Sequence, residues 1–123
     1  MKKNLSIVTG KTWYFENGLR KEGIHNRITG DASGITGDVS RITGDVSGIS
    51  GNVTDIRGNV NGITGDASGI RGNVSGIFGN VSRITGDVSG ITGNVNGISG
   101  DIESCEITPE DRQKGIDIKD LYR

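Results

Sequence analysis

One seven-residue phrase, I-x-G-[D/N]-[V/A/I]-x-x, runs eleven times without a gap from Ile28 to Ser104. A period this short cannot close a hydrophobic core within one copy, so each phrase must bury its apolar side chains by stacking on its neighbours. That is the logic of a solenoid. The apolar positions alternate at intervals of four and three, a spacing that also fits a coiled coil. Glycine rules the helix out. Eighteen of the 22 glycines lie in this block, each costs a helix about 1 kcal/mol relative to alanine, and the β-branched Ile, Val and Thr around them favour strands. The expectation is an all-β protein, a β-solenoid (β-helix) of seven-residue repeats.

In a strand, positions one, three and five of the phrase share a face, which makes Ile-Gly-Val the core line and positions six and seven the corner. Glycine holds position three in all eleven copies, implying either no room for a Cβ or a positive φ. In the second case the bend falls at Gly-[Asp/Asn] and the facing shifts. The number of phrases per turn is less constrained. Identities at the five variable positions number 16 of 40 for a 21-residue shift and 18 of 45 for a 14-residue shift, the same proportion. A 21-residue turn of three phrases is the preferred reading, as an enlarged triangular coil; a flattened two-phrase coil and a three-chain fibre are the alternatives.

Bare ends of such a stack would template edge pairing, so both flanks are expected to be caps. Residues 1–27 hold three of the five aromatics in Trp13-Tyr14-Phe15, followed by Asn17-Gly18, the strongest short hairpin signal. They form the predicted N-terminal hairpin cap. Residues 28–104 are the solenoid. Residues 105–123 form the C-terminal cap: Thr108 is placed to N-cap a short helix with Pro109 at its first position and Glu110 and Asp111 in its first turn, and Gly115 stops it. Ile116, Ile118 and Leu121 then cover the last coil. Cys105, the only cysteine, falls on the Ile position of a would-be twelfth phrase and is expected to be a buried thiol.

The repeats with Cys105-Glu106-Ile107-Thr108-Pro109-Glu110-Asp111-Arg112, Gly115-Ile116-Asp117-Ile118 and Asp120-Leu121 resemble a group of small bacteriophage proteins. In these, similar heptapeptides end in a C-E-[I/L]-T-x-E-[D/E]-R tail. The likeness spans about Ile28 to Leu121. It implies a phage origin and no particular chemistry.

No catalytic constellation is present, and no enzyme, cofactor or metal is expected. Gly10-Lys11-Thr12 after Leu5-Ser6-Ile7-Val8 is similar to the end of a phosphate loop, but Leu5 stands where the first loop glycine belongs and no helix follows. His25, the only histidine, has no acid or nucleophile in an interpretable pattern. Six Asp and five Asn at position four form an outward ladder that could hold calcium, yet each phrase supplies one side chain rather than a cage. The Thr row at position two is broken by Arg57, Arg71 and Phe78, which argues against an ice-binding array.

Net charge is −1, with six Lys/Arg against two Asp/Glu before residue 28 and four against eight in the repeats. That balance gives no clustered cations for nucleic acid and no pull to acidic membranes. The start has too short an apolar run for a signal peptide, so a cytoplasmic protein, in a host cell if phage-encoded, is expected. Under a 21-residue turn one wall stacks Arg41, Arg57, Phe78 and Arg83, the composition of a protein contact. The leading expectation is therefore a non-enzymatic module that binds a host or host-defence protein through a solenoid face or a cap. A self-assembling structural or fibre component is the alternative, with homo-oligomerisation possible, and ion binding along the Asp/Asn ladder comes third.

Overall fold

The computed structural model describes residues 12–122. The apolar run Leu5–Val8 and the Gly10-Lys11 pair therefore lie outside the described residues. The chain opens with β1 (Thr12–Glu16) and β2 (Leu19–Glu22), then enters the repeats as β3 (Ile28–Thr29), β4 (Ile35–Asp38), β5 (Ile42–Asp45), β6 (Ile49–Asn52) and β7 (Ile56–Asn59). It continues through β8 (Ile63–Asp66), β9 (Ile70–Asn73), β10 (Ile77–Asn80), β11 (Ile84–Asp87), β12 (Ile91–Asn94) and β13 (Gly100–Asp101). A 3-10 turn at Ile102–Cys105, helix α1 (Pro109–Lys114), strand β14 (Ile116–Asp117) and a second 3-10 turn at Ile118–Asp120 complete the described chain. Successive phrases alternate between two parallel sheets, in the orders β3-β5-β7-β9-β11-β13 and β4-β6-β8-β10-β12-β14. The protein is a β-solenoid with a hairpin cap at one end and a short helix in the other cap.

One detail is corrected: a turn holds two phrases, not three. Each phrase reverses the chain completely because two bends act in series. Position three has positive φ in every copy, from 83° at Gly30 to 129° at Gly100, and the Val carbonyl then accepts from the Ile amide three residues on, as in Val46 O from Ile49 N at 3.1 Å. A corner made of the second bend alone would leave a triangle; with the glycine kink before it the coil flattens.

Pairing joins residues 16 apart. Ile28 lies beside Gly44, Ile42 beside Gly58 and Ile84 beside Gly100. Since a coil is two seven-residue phrases long, each is staggered by two on its neighbour. An even stagger keeps odd positions beside odd ones, so the apolar face never flips. Ile and Val at positions one and five fill the interior from Ile28 to Val95 with exposures of 6% or less, and the core contains no buried polar side chain among the described residues. The inward facing of Ile and Val thus survives the bend at glycine, while position three itself turns toward the polar edge described below.

Both caps are built from the same rule with an insertion. Thr12 pairs with Gly37 and Ile91 with Ile116, the same lengthened offset at each end (25 against 16). At the N-terminus the excess is taken up by the hairpin, whose Asn17-Gly18 turn has φ of 54° and 77°, the signature of a type I′ turn. At the C-terminus it is taken up by the 3-10 turn and α1, which carries the full capping box between Thr108 and Asp111. The outermost strand of the larger sheet, β2, is exposed throughout and reads Leu-Arg-Lys-Glu, a charged edge that resists further pairing.

The expectation for Cys105 is overturned: it is exposed. The chain leaves the coil through Ile102–Cys105 and a left-handed Glu106 at φ 55°, and the place above β12 goes to β14 instead. The residue after that strand, Ile118, is 2% exposed and plugs the end of the core.

Candidate functional site

Positions four and six, read from sequence as an Asp/Asn ladder and a corner, are one continuous hydrogen-bonded device. In every phrase the position-four Oδ1 accepts from the backbone N–H of position six, as in Asp45 from Ser47, Asn59 from Asn61 and Asp101 from Glu103, each at 2.9 Å. The position-six side chain in turn accepts from the position-four N–H of the coil before it: Asn52 N to Ser68 Oγ, Asp45 N to Asn61 Oδ1, Asp87 N to Glu103 Oε1. Ser, Thr, Asn and Glu all present an acceptor there, which is why the residue type drifts while the bond persists. A Cβ on Gly44 would sit 2.6 Å from Asn59 Oδ1 and 2.7 Å from Asn61 Oδ1. Position three is glycine because the ladder of the next coil occupies that space.

The ladder also sets the carboxyl groups. Asp45 is held below the usual carboxylate range by the Ser47 hydroxyl and backbone N–H, and Asp66 by the backbone N–H and hydroxyl of Ser68. For Asp87 burial pushes upward, but the Ser89 N–H and hydroxyl, with Arg112 and Arg71, outweigh it and the net shift is down. The Oδ1 at each position four is thus committed to its own corner, and no group of three or more His, Cys, Asp or Glu among the described residues is arranged to hold a metal.

The four residues expected to form one contact wall are dispersed by the two-phrase turn. Arg57 is on β7 and Phe78 on β10, which belong to opposite sheets. Arg57 reaches along its sheet to Ser89 Oγ at 3.5 Å, and Arg71, one strand further, pairs with Glu103 Oε1 at 2.6 Å. Arg41 follows β4 and donates to the Thr54 carbonyl at 3.0 Å. Arg83 occupies the corner after β10, where it lines a small depression with Asn80, Gly97 and Ile98.

What the fold does bring together is Phe78 and Tyr122. They are the only aromatic residues beyond the N-terminal cap, 44 positions apart, and each is about half exposed, 49% and 50%. Both line a groove of about 630 Å³ whose other walls include Asn94, Asn96, Gly97, Ile98, Ser99, Asp117 and Lys119. Phe78 lies beside Asn94 in the 16-residue register. Asn94 Oδ1 accepts from Asn96 N, Asn96 Oδ1 from Asn80 N, and Asp117 Oδ1 from Lys119 N. The amide planes are therefore fixed by the ladder, and their Nδ2 groups are the polar atoms that the ladder does not use. Arg83 stands across Gly97 and Ile98 from this groove, so two of the four predicted residues are near it.

Phe78 was conspicuous in the sequence because it interrupts the Thr row. Tyr122 carries no sequence signal, and the Asn pair at positions four and six of Ile91–Gly97 recurs in Ile56–Gly62, so it does not mark the site. His25 proves structural: its Nε2 lies 2.9 Å from the Val39 carbonyl, its Nδ1 accepts from Arg27 N, and its ring meets Tyr14 edge-on at 5.6 Å. No helix among the described residues is long and apolar enough to cross a membrane.

The fold and groove define a capped parallel β-solenoid with an aromatic-lined recess at its C-terminal end, larger than the one that Tyr14, Phe15 and His25 line at the N-terminal cap. No family model matches the chain, and no curated protein or solved structure is significantly similar to it.

Proposed function

We propose that this chain is a non-enzymatic recognition module, a stiff rod that presents the Phe78–Tyr122 groove to a partner. The observation that supports this is the convergence of two half-exposed rings, from β10 and from the C-terminal cap, on a single recess. On the repeat strands the other outward position-two residues are Thr, Ser and paired Arg; exposed apolar side chains otherwise occur at Phe15, Leu19 and Ile24 in the N-terminal cap. Folding gains nothing from leaving a Phe at a position where Thr and Ser serve in other coils, whereas exposed aromatic side chains are the commonest anchors of recognition. Of the expected set Arg41, Arg57, Phe78 and Arg83, this site keeps Phe78, while Arg57 lies on the opposite sheet. The resemblance to phage heptapeptide proteins would make the partner a component of the infected host.

The test is a comparison of wild type with Phe78→Ala and Tyr122→Ala as immobilised bait in host extract, with melting temperature measured alongside. Capture of a specific component by wild type, reduced at least tenfold by either change at unaltered melting temperature, supports the groove. Equal capture by all three would refute it.

A further inference from the structure

The groove's lining points to the chemical class of its ligand, an inference that rests on the recognition reading above. We propose that the Phe78–Tyr122 groove binds a neutral oligosaccharide. Three features converge on that chemistry. The two rings offer flat apolar faces, which suit the C–H faces of a pyranose. The same lining includes short planar amides and a carboxylate, Asn94, Asn96 and Asp117, with Ser99. Asn offers two N–H donors and a carboxylate two acceptor oxygens, a set that matches adjacent hydroxyls, which both donate and accept. The charged residues in the lining, Asp117 and Lys119, are one of each sign, so nothing in the walls selects a phosphate or a carboxylate.

The ladder adds preorganisation. Because Asn94, Asn96 and Asp117 each have one oxygen engaged by a backbone N–H at 2.7–3.0 Å, their orientations are set before a ligand arrives and little side-chain entropy is lost on binding. A protein hot spot would present a drier pocket lined by Arg or Trp; this lining holds neither and is mostly polar or glycine apart from Phe78, Ile98 and Tyr122. The volume is in the range of sites for small ligands.

The experiment is a titration of the full chain, labelled with ¹⁵N, against a panel of neutral oligosaccharides (α- and β-linked glucans, a chitin oligomer and a mannan oligomer), with an oligogalacturonate and a phosphopeptide as charged comparisons. The readout is the side-chain amide resonances of Asn94 and Asn96. At least one neutral member should shift them saturably, and Phe78→Ala and Tyr122→Ala should each weaken that binding by tenfold or more. Asn94→Asp is the sharper variant: it keeps an Oδ1 to accept from Asn96 N and exchanges the Nδ2 donors for a charged acceptor, so affinity for a neutral saccharide should drop while the backbone amide spectrum stays that of the folded chain. If no neutral member shifts these resonances, or a charged comparison binds more tightly, the proposal fails. If that happens while host-extract capture still depends on Phe78, the groove remains a recognition site for a different ligand class, and only the saccharide assignment is lost.

Discussion

Alanine at Gly44 and at Gly48 should have very unequal consequences, although the two residues are four apart in the same phrase. Gly44 has φ of 105°, where an L-residue is strained by about 1–3 kcal/mol. Its new Cβ would also press on Asn59 Oδ1 at 2.6 Å and Asn61 Oδ1 at 2.7 Å. Those atoms accept from Asn61 N at 2.9 Å and Asp45 N at 2.8 Å, and displacing two such bonds costs about 0.5–1.5 kcal/mol each. The total is about 2–6 kcal/mol, with roughly 3 expected because water reaches this edge and replaces part of the loss. At Gly48 the backbone is not in the left-handed region, and the nearest atom to an added Cβ is a Thr64 methyl at 3.0 Å. There alanine should change stability by less than about 1 kcal/mol, since the strain is small and the unfolded chain is restricted. Urea denaturation followed by circular dichroism measures both. A Gly44→Ala cost no greater than that of Gly48→Ala would refute the claim that the glycine is dictated by the ladder.

The carboxylates predict acid sensitivity. Asp45, Asp66 and Asp87 have folded-state pKa values below their unfolded ones, so their contribution is complete above about pH 4 and is lost as pH falls through the folded values. Melting temperature should decline below pH 4 in wild type and decline less in Asp45→Asn/Asp66→Asn/Asp87→Asn, which keeps the Oδ1 acceptors; parallel curves would contradict this. Arg112 fastens α1 to the coil by donating to the carbonyls of Asp87 at 2.8 Å and Ser89 at 2.7 Å, with Gly90 leaving room for the helix backbone. Arg112→Ala should cost about 1.5–3 kcal/mol locally, seen as faster amide exchange in residues 109–121 with the central coils unchanged. Uniform acceleration along the chain would show that the cap is not a separate unit.

Much of this architecture could be read from the sequence because one phrase repeats its instructions. Ile and Val at fixed places announce the core, Asn17-Gly18 the hairpin, and Thr108-Pro109 the capped helix. The count of phrases per turn was not legible, since shifts by two phrases and by three are equally self-similar; it depends on whether the Gly-Asp bend adds to the corner turn. The ladder was hidden for a related reason. Ser68 Oγ and Asn61 Oδ1 do the same work from different residues, so the equivalence lies in acceptor position and not in residue name. The groove depended on both. Phe78 finds Asn94 only through the 16-residue register, and Tyr122 joins them because β14 takes the strand position that Cys105 would have begun.

That register is the claim on which the rest stands, and cross-linking tests it directly. In a Cys105→Ser background, Thr43→Cys/Asn59→Cys places thiols on paired residues of β5 and β7, within the reach of a disulfide. Thr43→Cys/Thr64→Cys places them on opposite sheets, although a 21-residue turn would stack them. Mild oxidation should close an intramolecular disulfide in the first pair and leave the second reduced. Closure of the second pair and not the first would contradict the two-phrase coil.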